Sequence, residues 1–147
     1  MGQILQVESL GFSYGNRFTL GGISLEVSEG EVLGVIGPNS SGKTTLLRLL
    51  SKVLHPREGR IKLLGLDLQN ISRMELARVV AVVPQEWQPA PGFSLQAEAF
   101  PFTVLQMVLM GRYPYSQGRF FEGSADLKAA REAMEAVGIL HLSLIHI

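Results

Sequence analysis

The sequence predicts an α/β protein with an antiparallel β portion at its N-terminus. Two short apolar runs, at residues 31–36 and 79–83, have the composition of buried parallel strands. A leucine-rich helical pattern at residues 45–54 follows the first run, and a turn rich in glycine and serine joins the two. Ahead of them, residues 4–10 and 18–27 alternate apolar and polar side chains, which is typical of half-exposed antiparallel strands.

The remaining elements are predicted from local signals. Ser72 and Glu75 form a capping-box pattern, which marks the start of a helix. Three prolines and one glycine between residues 86 and 101 predict a long loop. Two helical patterns follow, of which the second places four apolar side chains on one face. The predicted elements are a strand at 60–64, a helix from 72, and helices at 103–110 and 126–137, the last with Leu127, Ala130, Met134 and Val137 on its apolar face.

The strongest functional signal is the segment Gly-Pro-Asn-Ser-Ser-Gly-Lys-Thr at residues 37–44, which fits the phosphate-loop pattern. Gly37 and Gly42 allow a tight turn whose N–H groups point at an anion. Lys43 supplies a compact positive charge for the β- and γ-phosphates, and the Thr44 hydroxyl is suited to Mg²⁺. Because the segment lies between a predicted strand and a predicted helix, it predicts a nucleotide site.

Composition excludes several other kinds of site. Thirteen basic residues balance thirteen acidic ones, so no net charge directs the chain to nucleic acid. Cysteine is absent, which excludes disulfides and thiolate metal sites. His55, His141 and His146 are too scattered to suggest a metal site. No apolar stretch reaches the roughly 18 residues that span a bilayer, and the N-terminus does not resemble a signal peptide.

These pieces, in this order, resemble the nucleotide-binding subunit of an ABC transporter. The approach Leu-Gly-Gly-Ile-Ser-Leu-Glu-Val at 20–27 and the loop at 37–44 are similar to the family's route into its Walker A motif. Tyr14 matches the family's A-loop aromatic, and Gln85 matches its Q-loop glutamine. On the residues alone, Tyr14 could equally be a packed aromatic at a strand end, and Gln85 a plain loop residue.

The resemblance implies ATP and Mg²⁺ as cofactors. It implies that Tyr14 stacks on adenine, that Lys43 and Gln85 act in catalysis, and that Thr44 and Gln85 hold the metal. The implied nucleotide contacts are Tyr14, Gly37, Pro38, Asn39, Ser40, Ser41, Gly42, Lys43, Thr44 and Thr45.

A narrower likeness concerns transport. Residues 77–86, 100–104 and 108–114 resemble importers of iron chelates, haem and cobalamin. It implies membrane permease subunits as partners through the Q-loop and helical subdomain, on the cytoplasmic side of the inner membrane, and no nucleic acid. The resemblance to the ABC family as a whole also implies a second ATPase subunit in a head-to-tail dimer in the full-length protein. The alternatives are a non-transport ABC ATPase in DNA repair or translation, and a fragment that binds nucleotide without cleaving it.

The chain departs from the family pattern in two ways. Ser40 stands where the family usually has a third glycine, which would weaken ATP binding several-fold if that residue needs a positive φ. The Leu-Ser-Gly-Gly signature, the Asp-Glu pair of Walker B and the switch histidine are missing from the sequence. We therefore expect the chain as written to be catalytically inactive. We also expect residues 32–36 to lack strand partners, which favours aggregation.

The predicted organisation has four parts. Residues 1–85 form a β-rich, phosphate-binding portion, 86–101 a Q-loop linker and 102–141 the start of a helical subdomain. Residues 142–147, Leu-Ser-Leu-Ile-His-Ile, match the translation of a transposon-end adapter used in DNA library preparation. Our hypothesis is that they are not native, and the reading frame of the parent gene would test it.

Overall fold

A computed structural model describes residues 2–15, 19–85, 102–115 and 123–144 of the chain. The chain divides into two compact units, Met1–Val82 and Val83–Ile147. The predicted loop at 86–101, including Trp87, lies outside the described residues. The boundaries of the four predicted parts stay a prediction.

The first unit is built on an antiparallel sheet whose strands are β1 (Gln3–Ser13), β2 (Thr19–Ser28), β3 (Glu58–Leu63) and β4 (Leu66–Asp67). Their order in the sheet is β2-β1-β3-β4. The predicted alternation is confirmed in β2, where Ile23, Leu25 and Val27 are half-buried while Ser24 and Glu26 are exposed. These elements confirm the predicted antiparallel β portion.

A bulge in β1 places one glycine under a strict steric requirement. The register with β3 shifts between Glu8 and Gly11, and Gly59 lies opposite this irregularity with φ +74. A Cβ on Gly59 would stand 2.2 Å from the Glu8 carbonyl oxygen and 2.5 Å from that of Ser9. Only glycine fits there, because neither the φ angle nor the space admits a side chain.

Two helices pack with this sheet around one apolar core. They are α1 (Lys43–Leu50) and α2 (Arg73–Val79), with a 3-10 turn at Leu68–Asn70 between β4 and α2. The predicted capping box is present: the Ser72 hydroxyl accepts from the Glu75 N–H, and the Glu75 carboxylate accepts from the Ser72 N–H. Hydrogen bonds from the Ser72 side chain and backbone to the Glu75 carboxyl lower its pKa. The core consists of Val7, Leu10, Leu20, Leu46, Leu49, Ile61, Leu68, Ile71 and Leu76.

Helix α1 ends earlier than its leucine pattern predicts. Ser51 is the C-cap, and Lys52 follows with φ +56, a position where glycine is usual. The Lys52 ammonium donates hydrogen bonds to the carbonyl oxygens of Gln69 and Ile71, which tie the end of α1 to the start of α2. These contacts offset the backbone strain.

The second unit contains α3 (Val104–Met110), α4 (Ser124–Ala136) and 3-10 turns at Tyr113–Tyr115 and Leu140–Leu142. Thr103 is the N-cap of α3 and forms a capping box with Gln106. The start of α3 agrees with the predicted helix at 103–110. Ala130 and Met134 of α4 are buried, whereas Val137 is 69% exposed and lies beyond the helix end. Val137 was therefore wrongly placed on the apolar face.

The two apolar runs predicted as buried strands are not strands among the described residues. Residues 31–38 and 80–84 have no regular structure, and Val79 belongs to α2. Val32, Ile36 and Val83 are 93–97% exposed. An apolar run becomes a buried strand only when neighbouring strands pair with it, and the described sheet does not reach these residues.

Candidate functional site

The phosphate loop leads directly into α1, as the motif predicts. Gly42 is the N-cap of α1 with φ +98, a left-handed conformation that favours glycine. The helix has no acidic residue in its first turn and no side-chain hydrogen bond at its cap. The first N–H groups of α1 are thus directed at the loop, where a phosphate anion would complete their hydrogen bonds.

Ser40 also adopts a left-handed conformation, with φ +65. The sequence predicts weaker ATP binding if residue 40 has a positive φ, and it does have one. Serine is strained there by about 1–2 kcal/mol relative to a residue without a Cβ. The Ser40 side chain is exposed.

The Lys43 side chain folds back over the loop. Its Nζ donates hydrogen bonds to the carbonyl oxygens of Gly37, at 2.8 Å, and Pro38, at 2.7 Å. An ammonium group has three N–H donors, so one remains for an incoming oxygen. These two hydrogen bonds connect the first residue of α1 to the start of the loop and hold the lysine charge beside it.

The rest of the loop contains a tight turn and two exposed polar side chains. Ser41 donates its N–H to the Pro38 carbonyl at 3.3 Å, which makes a tight turn. A Cβ on Gly37 would approach the Ser41 Oγ to 2.9 Å, so Gly37 keeps this turn compact. Asn39 and Thr44 are exposed, whereas Thr45 is buried at the base of α1.

These residues fit a nucleoside triphosphate with Mg²⁺. The uncapped N–H groups at the start of α1 and the Lys43 ammonium lie at one loop, where the left-handed Gly42 turns the backbone into the helix. N–H groups and an ammonium are the donors that phosphate oxygens need. The exposed Thr44 hydroxyl supplies a hard oxygen for the metal. Within the described ranges, no group of three or more histidine, aspartate or glutamate side chains could hold a metal ion by itself.

Tyr14 lies immediately beyond the end of β1 and is 43% exposed. Its ring contacts that of Phe12, with centroids 4.8 Å apart and planes at 84°. Tyr14 and the phosphate loop belong to the same compact unit. Sequence reasoning missed Phe12, although residues two apart at the end of a strand can place their side chains on one face.

Gln85 lies in the second unit, at an exposed bend outside any helix or strand.

The second unit also contains the 3-10 turn at Tyr113–Tyr115, which follows α3 and is called the aromatic turn below. The Arg112 guanidinium pairs with Asp126 of α4 at 2.9 Å and lies 4.2 Å from the centre of the Tyr115 ring. Tyr113 is 64% exposed beside it. Across the described ranges, no helix is long and apolar enough to cross a membrane.

Comparison with known proteins identifies relatives over nearly the whole chain. The hemin import ATP-binding protein HmuV of Gloeobacter violaceus is 39% identical over 140 residues, which are 95% of this chain and 47% of that protein. The petrobactin import ATP-binding protein FpuD of Bacillus anthracis is 34% identical over 139 residues, 95% of this chain and 48% of its own length. The chain therefore spans about half the length of these relatives.

Solved structures match the same fold. A nucleotide-free ATP-binding cassette from an ABC transporter superposes with a TM-score of 0.75 at 27% identity, covering 98% of this chain and 57% of that one. The cbiO1 subunit of Clostridium perfringens, part of the ABC transporter complex cbiONQ, gives a TM-score of 0.73 at 26% identity, covering 99% and 55%. The predicted α/β phosphate-loop fold is thereby confirmed.

The family described as ABC transporter matches residues 20–146, which include the phosphate loop, α1 and most of the second unit. The loop geometry and the relatives agree with this match. The chain therefore belongs to the ABC transporter family and corresponds to part of the family's ATP-binding domain.

Proposed function

We propose that this chain is the nucleotide-binding part of an ABC importer subunit that uses ATP to drive uptake of an iron chelate, haem or a cobalamin-type ligand. The observation that carries the ATP assignment is the loop at 37–44, where Lys43 and the start of α1 converge. The importer assignment is supported by relatives named for hemin and petrobactin import.

In this proposal the helix start, Lys43 and Thr44 have distinct tasks, and the other residues shape the cradle. The N–H groups at the start of α1 bind phosphate oxygens, and the helix dipole favours their negative charge. Lys43 holds the loop closed and offers its remaining N–H to the β- and γ-phosphates. Thr44 orients the metal, which neutralises phosphate charge when it is bound. Gly37, Pro38, Asn39, Ser40, Ser41, Gly42 and Thr45 shape the cradle.

Tyr14 and Gln85 extend the proposed site beyond the phosphates. The exposed Tyr14 ring is suited to stacking on adenine. For the full-length protein we propose that Gln85 contacts Mg²⁺ and the attacking water, because it matches the family's Q-loop glutamine. The chain as written lacks the signature and Walker B sequences, so we propose that it binds ATP without cleaving it.

Exposed side chains of the second unit support the proposal that the partners are permease subunits. Met110, Tyr113 and Tyr115 are exposed around the aromatic turn, and methionine and aromatic residues are enriched at protein interfaces. We propose that this turn and the Q-loop meet the permease subunits at the cytoplasmic face of the inner membrane. A second ATPase subunit would complete the site in the full-length protein.

Two experiments test the proposal. The first measures ATP turnover by the purified chain and by Lys43→Ala. Turnover by the chain that vanishes in the variant would overturn the claim that it cannot hydrolyse ATP. The second disrupts the parent gene and measures uptake of hemin, ferric siderophore and cobalamin. Loss of uptake of one ligand supports the importer, whereas unchanged uptake with a DNA-repair or translation defect favours a non-transport ATPase.

A further inference from the structure

The contact between Phe12 and Tyr14 links the proposed adenine platform to the protein core. The two rings meet edge to face, with centroids 4.8 Å apart and an interplanar angle of 84°. Such pairs are among the preferred arrangements of aromatic rings, because the positive edge of one ring faces the negative face of the other. The geometry fixes the plane of one ring relative to the other.

Phe12 is itself held in place. It is half-buried, packs against the core of the first unit and lies opposite Leu20 of β2, whose side chain is buried. The register between β1 and β2 shifts just before it, between Leu10 and Phe12, so this bulge sets the direction of the strand end. Tyr14, by contrast, follows the last residue of β1 and is 43% exposed.

We infer that Phe12 is a positioning residue for the nucleobase: it orients the Tyr14 ring so that its exposed surface is ready for a purine to stack on it. The inference rests on the proposed ATP site and adds a residue to it. Loss of the Phe12 ring would remove this edge-to-face contact, so the Tyr14 ring would populate the stacking rotamer less often.

The expected effect falls on the base and not on the phosphates. An edge-to-face pair stabilises its geometry enough to change a population about 2- to 10-fold. Inorganic tripolyphosphate reaches the phosphate loop but has no base to stack. The ratio of the two dissociation constants, for tripolyphosphate and for ATP, therefore isolates the contribution of the nucleoside. Partial unfolding weakens both affinities by the same factor and cancels in this ratio.

The test is an equilibrium titration of the full chain with Mg-ATP and with Mg-tripolyphosphate. We expect Phe12→Leu to lower the ratio about 2- to 10-fold with the tripolyphosphate affinity unchanged, and Phe12→Tyr, which keeps the ring, to retain it. In a Tyr14→Ala background, Phe12→Leu should have no further effect. The matched control is Leu25→Ala, which removes packing from the same core at a position opposite Val7, away from Tyr14.

The outcomes separate the two claims. If Tyr14→Ala leaves the ratio unchanged, the proposed adenine contact itself is wrong. If Tyr14→Ala lowers the ratio and Phe12→Leu does not, the adenine contact stands and the positioning role of Phe12 is refuted. A ratio that Leu25→Ala lowers as much as Phe12→Leu would also refute it, because the effect would then come from general packing.

Discussion

Replacing Ser40 by glycine should tighten nucleotide binding. Ser40 has φ +65, which strains a residue that carries a Cβ by about 1–2 kcal/mol. Ser40 is exposed and outside regular structure, and the hydrogen bonds of Lys43 go to Gly37 and Pro38, so the strain lowers the fraction of chains in which Ser40 has the binding conformation. The strain then counts against binding.

The magnitude follows from the strain. Relief of about 1 kcal/mol corresponds to about fivefold in a dissociation constant, which sets the expected gain for Ser40→Gly. The assay is calorimetric titration with Mg-ATP and with Mg-tripolyphosphate. Both affinities should rise by the same factor, because the loop contacts only phosphates.

Ser40→Ala is the matched control, because alanine keeps the Cβ and loses only the hydroxyl. We expect its affinity to equal that of the unaltered chain. If Ser40→Gly binds no more tightly, or if Ser40→Ala gains as much, backbone strain is not what limits binding and the reasoning is refuted.

Three further predictions concern the first unit. Gly59→Ala should lower the free energy of unfolding by about 2–4 kcal/mol in denaturant titrations, because its Cβ would overlap the Glu8 carbonyl oxygen; an unchanged midpoint would contradict the bulge geometry. Leu64→Asn should raise it by about 1 kcal/mol, because Leu64 has φ +52 in the two-residue turn between β3 and β4, where asparagine is favoured; equal stability of the two chains would count against this. Hydrogen bonds from Arg60 to Glu8 and from Ser72 to Glu75 lower the pKa of both carboxyls below 4.5, so the stability that these two carboxylates contribute should be fully present above that pH and should be lost as the pH falls through the lowered values. Glu75→Gln should flatten that decline in acid unfolding curves, and an unaltered slope would exclude Glu75 as a source.

Local signals predicted most of the first unit. Alternating side chains gave β1 and β2, and the Ser72–Glu75 pair gave the start of α2. Each of these signals acts over a few residues, so the sequence carries it without knowledge of the rest of the chain.

Features that depend on distant partners were not predictable. The apolar runs at 31–36 and 79–83 look like buried strands, but burial requires neighbouring strands that lie elsewhere in sequence. Lys52 ends α1 at a position that favours glycine, because its ammonium binds two carbonyl groups about twenty residues away. The same limit applies to the site: the motif identified Lys43, but not that its Nζ folds back onto the Gly37 carbonyl.

The loop at 37–44 is the proposed binding site for a nucleoside triphosphate. The most direct test titrates the purified chain with Mg-ATP beside Lys43→Ala and the surface control Lys128→Ala, whose ammonium pairs only with Glu132 at 3.8 Å among the described residues. We predict saturable binding that Lys43→Ala abolishes and Lys128→Ala leaves unchanged. Binding that survives in Lys43→Ala, or that both substitutions weaken equally, would contradict the assignment of this loop as the ATP site.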